Sequence, residues 1–168
     1  MRSTRGCCPR KPEAMRQFFD TNVLVYAHDA RHAGKRDLSR SLVGDALDHD
    51  EFVVSTQVLV EFYATATRRG LLAWAEALDL VLLWSGHEIV NQTPALVANA
   101  IALHRDHSLS FWDALIVQAA LDARCDVLLS EDLQHGRRFG ELEVRNPFVA
   151  PAAHEKRGRY RASRRSRR

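Results

Sequence analysis

The sequence predicts an α/β fold: a three-layer α/β/α sandwich with a central parallel sheet. Three observations carry that expectation. Short apolar runs alternate with longer stretches of helical spacing, the order produced when each strand is followed by a crossover helix. The chain has 168 residues, 46% of them hydrophobic, which is enough for one domain with a proper core and too few for two. Acidic residues stand directly after apolar strand-like runs, where open sheets of this class gather their functional groups.

Taken in order, Gln17 to Thr21 reads as a short strand closed by the helix-start cluster Asp20-Thr21-Asn22. Val23 to His28 then gives a helical turn or two, and Ala33 to Asp48 has helical spacing through Leu38, Leu42, Val43, Ala46 and Leu47. Glu51 to Val54 is the second strand. Ser55 or Thr56 caps a helix carrying Val58, Leu59, Phe62, Ala66 and Arg69, and Gly70 stops it. Leu71 to Trp84 reads as a further helix, and His87 to Val90 as a weak third strand. Pro94 suits the first turn of a helix through Leu96, Ala100 and Leu103. Ser110 to Ala123 is the next helix, and Asp126 to Leu129 and Leu142 to Val144 are the last strands. Pro147 to Pro151 marks the end of the domain. There is no internal repeat.

The net charge of +3 conceals an uneven layout. Arg2, Arg5, Arg10 and Lys11 outweigh Glu13 in residues 1–14, and eight Lys or Arg outweigh Glu155 in residues 154–168, leaving −7 on residues 15–153. The expected organisation is a basic, disordered extension over 1–14, one folded domain over 15–150 and a disordered Arg-rich tail over 151–168. Met15 stands just before the first strand, so the first fourteen residues fit an upstream start as well. The tail reads either as a solvated extension or as an arm for RNA phosphates, with an affinity that falls steeply with salt.

Cys7, Cys8 and Cys125 are too few and too poorly spaced for a disulfide framework or a zinc knuckle, which suits a reducing cytoplasm. No apolar run approaches the roughly 18 residues of a membrane helix, and the first residues lack the apolar stretch of a secretory signal. The eight His show no HxH or HExxH spacing; His104 and His107, three apart on one helix, could in principle bind a metal, though such a pair is more often surface or interface. GxGxxG, GxxxxGK[ST] and Gly-x-Ser-x-Gly are all missing, which removes dinucleotide, P-loop and serine-elbow chemistry.

What remains is acidic. Asp20, Glu61, Asp113 and Asp132 each sit in or beside apolar sequence, where a bare carboxylate is costly to desolvate and calls for a cation, a proton or several donors. If they converge, they form an all-oxygen site for a hard divalent ion such as magnesium or manganese. Each also has an ordinary reading. Asp20 fits a helix cap, Asp113 the third position of a capping box begun by Ser110, and Asp132 a turn; Glu61 could lie on a solvated helix face.

With these residues in view, the chain resembles a PIN-domain ribonuclease, specifically the VapC-type toxins of bacterial toxin–antitoxin pairs. Phe19-Asp20-Thr21-Asn22-Val23-Leu24-Val25-Tyr26 is similar to the first acidic motif of that family. Ser55-Thr56-Gln57-Val58-Leu59-Val60-Glu61-Phe62 resembles the second and Leu109-Ser110-Phe111-Trp112-Asp113-Ala114-Leu115-Ile116 the third. Leu129-Ser130-Glu131-Asp132-Leu133-Gln134-His135-Gly136 resembles the fourth, and the likeness spans roughly residues 15 to 149. It implies Mg2+ or Mn2+ at Asp20, Glu61, Asp113 and Asp132, endonucleolytic cleavage of RNA, and support from Asn22 and Ser130. Within that reading, Asp20 and Asp113 are expected to ligate directly, and Glu61 and Asp132 directly or through water. The resemblance further implies an antitoxin partner and a homodimer. The apolar stretches around Leu59-Phe62-Tyr63 and Leu71-Leu72-Trp74 are candidate surfaces for these, with ordinary core packing as the competing reading. The basic ends have no counterpart in the family pattern. The rival function is a non-catalytic RNA- or partner-binding module on the same fold.

Overall fold

The computed structural model describes residues 15–149; the expectations made for residues 1–14 and for the tail lie outside the described residues. Six strands form one sheet: β1 (Gln17–Phe19), β2 (Phe52–Ser55), β3 (Glu88–Val90), β4 (Val127–Leu129), β5 (Arg138–Phe139) and β6 (Leu142–Arg145). Six α-helices accompany them: α1 (Thr21–Tyr26), α2 (Ala33–Asp48), α3 (Thr56–Arg68), α4 (Trp74–Trp84), α5 (Pro94–His107) and α6 (Phe111–Asp122), with a 3-10 turn at Ala30–His32. Across the sheet the strand order is β3-β2-β1-β4-β6-β5. Every pairing is parallel except the last, β5 with β6.

That antiparallel edge adds to the expected central parallel sheet a strand, β5, that the sequence reading did not include. Its cause is local: Gly140 takes φ +60 and turns the chain so that Phe139 pairs back onto Leu142. A two-residue strand leaves no periodic trace in sequence. A second difference concerns α4, which starts at Trp74 rather than Leu71. Gly70, at φ +63, closes α3 with a Schellman motif, in which its N–H donates to Thr67 O (3.0 Å) and that of Leu71 to Ala66 O (2.9 Å). Leu71 and Leu72 then pack against the core from the connecting turn, so apolar sequence runs on where the helix does not.

The core lies between sheet and helices. Phe19 stacks on Phe52 with centroids 5.0 Å apart, and Phe62 meets Trp84 edge-on at 4.6 Å. Helix α6 buries every residue from Ala114 to Ala120 because it packs against both α5 and the sheet. Leu59 and Phe62 also belong to this core, whereas Tyr63 and Trp74 are exposed. The apolar stretches proposed as docking surfaces are therefore divided between interior and surface.

Register places the site. Phe19 pairs with Leu129, so the next residues, Asp20 and Ser130, leave the sheet side by side. Asp20 N–H donates to Leu129 O at 3.0 Å, extending the ladder by one bond.

Candidate active site

Asp20 stands between strand and helix. Its backbone is extended, it forms the N-cap of α1, and Oδ1 accepts from Thr21 N–H at 2.6 Å. The capping role and membership of an acidic site coexist. The other oxygen, Oδ2, accepts from Ser130 Oγ at 2.6 Å and Asn22 Nδ2 at 2.9 Å. Asp20 is buried, and among the described residues these neutral groups are its hydrogen-bond donors. Burial pushes its carboxyl up to about 6; Ser130 and the Thr21 N–H oppose that rise, while the charges of Asp132 and Glu61 add to it.

Glu61 reaches the same cleft from the middle of α3. Thr21 Oγ1 donates to Oε2 (2.9 Å) and Gln57 Nε2 to Oε1 (3.0 Å), so one helical turn of α3 and the first residue of α1 orient the carboxylate between them. Asp113 lies in the first turn of α6. Ser110 caps that helix by accepting from Asp113 N–H at 3.0 Å, as the sequence predicts, while the Asp113 carboxylate lines the cleft.

Asp132 is separated from its acidic neighbour by hydrogen bonding. Its backbone N–H donates to Ser130 Oγ (3.2 Å) and its Oδ2 accepts from Asn22 Nδ2 (3.1 Å). Glu131 instead forms an ion pair with Lys35, whose Nζ also donates to the Tyr26 hydroxyl at 3.1 Å. Partial burial alone would raise Glu131, but Lys35 and Tyr26 hold its carboxyl below the usual range. Asn22 ties the group together: its amide donates to Asp20 and Asp132, and its Oδ1 accepts from Glu131 N–H at 3.3 Å.

All four sequence-predicted acids thus line one cleft of about 360 Å³. Thr21, Gln57, Thr65, Arg69 and Trp112 line it too and were not singled out from sequence. Gln57 was recoverable, because it sits four residues before Glu61 and therefore on the same helix face. Arg69 is the one cation among the described lining residues. The oxygen-only donor set and the desolvated Asp20 fit a hard divalent ion. As they stand, no three His, Cys, Asp or Glu side chains among the described residues are gathered closely enough to enclose one. Asp20, Glu61 and Asp132 each accept from neutral donors instead, Asn22 serving both Asp20 and Asp132, and like charges favour that spacing. His104 and His107 lie elsewhere: His104 Nδ1 is 2.6 Å from Leu109 O, and His107 packs edge-on against Phe139.

A family model described as PIN domain matches residues 18–139. The crystal structure of Mycobacterium tuberculosis VapC20, a sarcin–ricin loop cleaving toxin, is similar with a TM-score of 0.58 and 20% identity, over 69% of this chain and 91% of that one. A toxin–antitoxin complex from Klebsiella pneumoniae is similar with a TM-score of 0.59 and 17% identity, over 80% and 99% of the respective chains. At these identities the likeness is one of fold. No curated protein matches the chain significantly.

Proposed function

The chain belongs to the PIN domain family, and from that premise we propose that it is a divalent-metal-dependent endoribonuclease, the toxin of a type II toxin–antitoxin pair. The observation that carries this reading is the convergence of Asp20, Glu61, Asp113 and Asp132 on one cleft beyond the carboxyl ends of β1 and β4. Acids serving only as a cap, a capping-box member, a turn residue and a solvated helix position have no reason to meet there.

In this reading Asp20 and Asp113 hold Mg2+ or Mn2+ directly, and Glu61 and Asp132 hold it directly or through water. When bound, the ion supplies positive charge to a phosphodiester that the acids would otherwise repel and makes an attacking water more acidic. Ser130 and Asn22 orient Asp20 and Asp132, Thr21 and Gln57 orient Glu61, and Arg69 offers a cation to a phosphate on the cleft wall. Lys35 keeps Glu131 engaged and out of the ligand set.

The partners are an antitoxin protein and a second copy of the chain. Exposed Val60, Trp74, Leu82, Leu83, Ile101 and Trp112 supply apolar area for such contacts. No described helix is long and apolar enough to cross a membrane, and we place the activity in the cytoplasm, where target RNA is found.

The test is cleavage of a mixed RNA pool by antitoxin-free protein with magnesium, manganese or EDTA, beside Asp20→Asn. Metal-dependent cleavage that vanishes in the variant supports the reading. A folded protein that binds RNA but cuts none under any condition would replace it with the non-catalytic binding module.

A further inference from the structure

The register of β2 with β3 builds a second recess beside the acids. Ser55 pairs with Val90, so the two chain segments leave the sheet at the same edge. Two residues further along each, Gln57 and Gln92 line one groove. Gln92 N–H donates to Thr56 Oγ1 at 3.3 Å, which ties this loop to the start of α3. Val60 and Trp112 supply the apolar part of the lining. The groove holds about 490 Å³ and shares Gln57, Glu61 and Trp112 with the acidic cleft, so the two are continuous.

Trp112 is 63% exposed although it directly precedes Asp113 in the first turn of α6. Its aromatic neighbour Phe111 is tilted by 58° with centroids 5.9 Å apart, so no ring among the described residues stacks on its face. Gln57 is buried but only half engaged: Nε2 donates to Glu61, while Oε1 accepts from no group among the described residues. Gln92 is exposed and offers both a donor and an acceptor. Glu61 is the one charged residue among the described groove lining, so no cation there calls for a phosphate. An open aromatic face with free amide groups suits a flat, uncharged ring with polar edges. A stable protein interface engages roughly 20–30 residues a side, far more than line this groove. Apolar surface continues past Trp112 to Val97 and Ile101 of α5, but only the Gln57 side shares its lining with the acids.

We propose that this groove binds the unpaired nucleobase next to the scissile phosphate, stacked on Trp112 and hydrogen-bonded at its edge by Gln57 and Gln92; this rests on the ribonuclease reading above. A base within a duplex has its faces and pairing edge occupied, so the groove selects nucleotides from loops, bulges and single strands. Gln57 joins the two tasks, since one end of its amide holds Glu61 and the other is left for the base.

The probes are labelled oligouridylate and oligoadenylate, beside an abasic oligomer of equal length and charge. Anisotropy in magnesium, with every protein carrying Asp20→Asn so that RNA stays intact, measures their affinities. The parent should bind the base-bearing oligomers about tenfold more tightly than the abasic one, as one aromatic stack predicts. Trp112→Ala should erase that preference and leave abasic binding unchanged, Trp112→Phe should keep most of it, and Gln92→Ala should weaken it severalfold. In the cleavage-competent forms, Trp112→Ala should raise KM about tenfold with kcat preserved. Unchanged melting temperature and manganese affinity in Trp112→Ala show that α6 and Asp113 are intact; Trp112→Phe and Gln92→Ala carry the test if they are not. Equal binding of abasic and base-bearing oligomers by the parent overturns the proposal, as does failure of every probe to bind. A base preference that survives Trp112→Ala while a dimer becomes a monomer assigns the ring to contact between copies and overturns it too. Cleavage indifferent to Trp112→Ala sinks the base site and leaves the nuclease reading standing. Cleavage by no form, with the Trp112-dependent base preference intact, sinks the nuclease reading and leaves the base site.

Discussion

The Ser130 hydroxyl donates to Asp20 Oδ2 at 2.6 Å, joining the residues that follow two adjacent parallel strands. Ser130 is fully buried, and its oxygen also accepts from Asp132 N–H, so one hydroxyl positions two of the acids. Ser130→Ala should therefore do two separable things. Loss of a buried hydrogen bond to a carboxylate should destabilise the metal-free protein by about 2 kcal/mol, read as a shifted urea midpoint at unchanged slope. Removing a donor from Asp20 should also raise that carboxyl further and weaken manganese binding roughly tenfold by calorimetry. Unaltered metal affinity would make Ser130 a structural residue only.

Asp20 predicts a pH dependence with a definite sign. Its folded carboxyl is raised from 3.8 to about 6, so the folded state holds a proton that the unfolded state has released. The associated stability is fully present below about pH 4 and is lost as pH rises through 6, a gap of roughly two pH units or about 3 kcal/mol. In EDTA, Asp20→Asn should thus be more stable than wild type at pH 7.5 and lose that advantage at pH 4. Because a divalent ion offsets the same charge, manganese should raise the wild-type melting temperature more at pH 7.5 than at pH 5. Equal manganese shifts at both values would remove Asp20 from the metal site.

Much of this site was legible because its signals are local. Asp20-Thr21-Asn22 after a strand, Ser55 before a helix and Ser110 three residues ahead of Asp113 are capping patterns, and all three caps form. The acids could be named, but their meeting depends on the register of Phe19 with Leu129 and on helices from three parts of the chain. No local pattern encodes that pairing; the family resemblance stood in for it. β5 escaped notice because pairing over two residues leaves nothing periodic. The division of Leu59 and Phe62 from Tyr63 and Trp74 also required the packed structure, since composition alone does not tell a core face from a docking face.

Gln57 gives a test of orientation without removing an acid. Its amide donates to Glu61 Oε1, while Thr21 holds Oε2. Gln57→Ala should reduce cleavage about tenfold, with a stability change within about 1 kcal/mol. Gln57→Glu should do worse, because it places a second carboxylate against Glu61. Wild-type rates in both variants would show that Thr21 alone fixes Glu61.

Glu131 and Asp132 are adjacent acids with different surroundings, so they separate charge from geometry. Glu131 is taken up by Lys35 at a partly exposed pair, a contact worth under about 1 kcal/mol. Asp132 is turned by Ser130 and Asn22 toward Asp20, without a cationic partner among the described residues. Asp132→Asn should lower kcat at least 100-fold, whereas Glu131→Gln should leave cleavage within threefold and only slightly reduce stability. A simple requirement for negative charge near the cleft would make the two variants equally defective. The ratio of their rates, measured at saturating manganese on one RNA, distinguishes these cases. Equal loss would mean that the Lys35 pair opens during turnover and that Glu131 enters the ligand set.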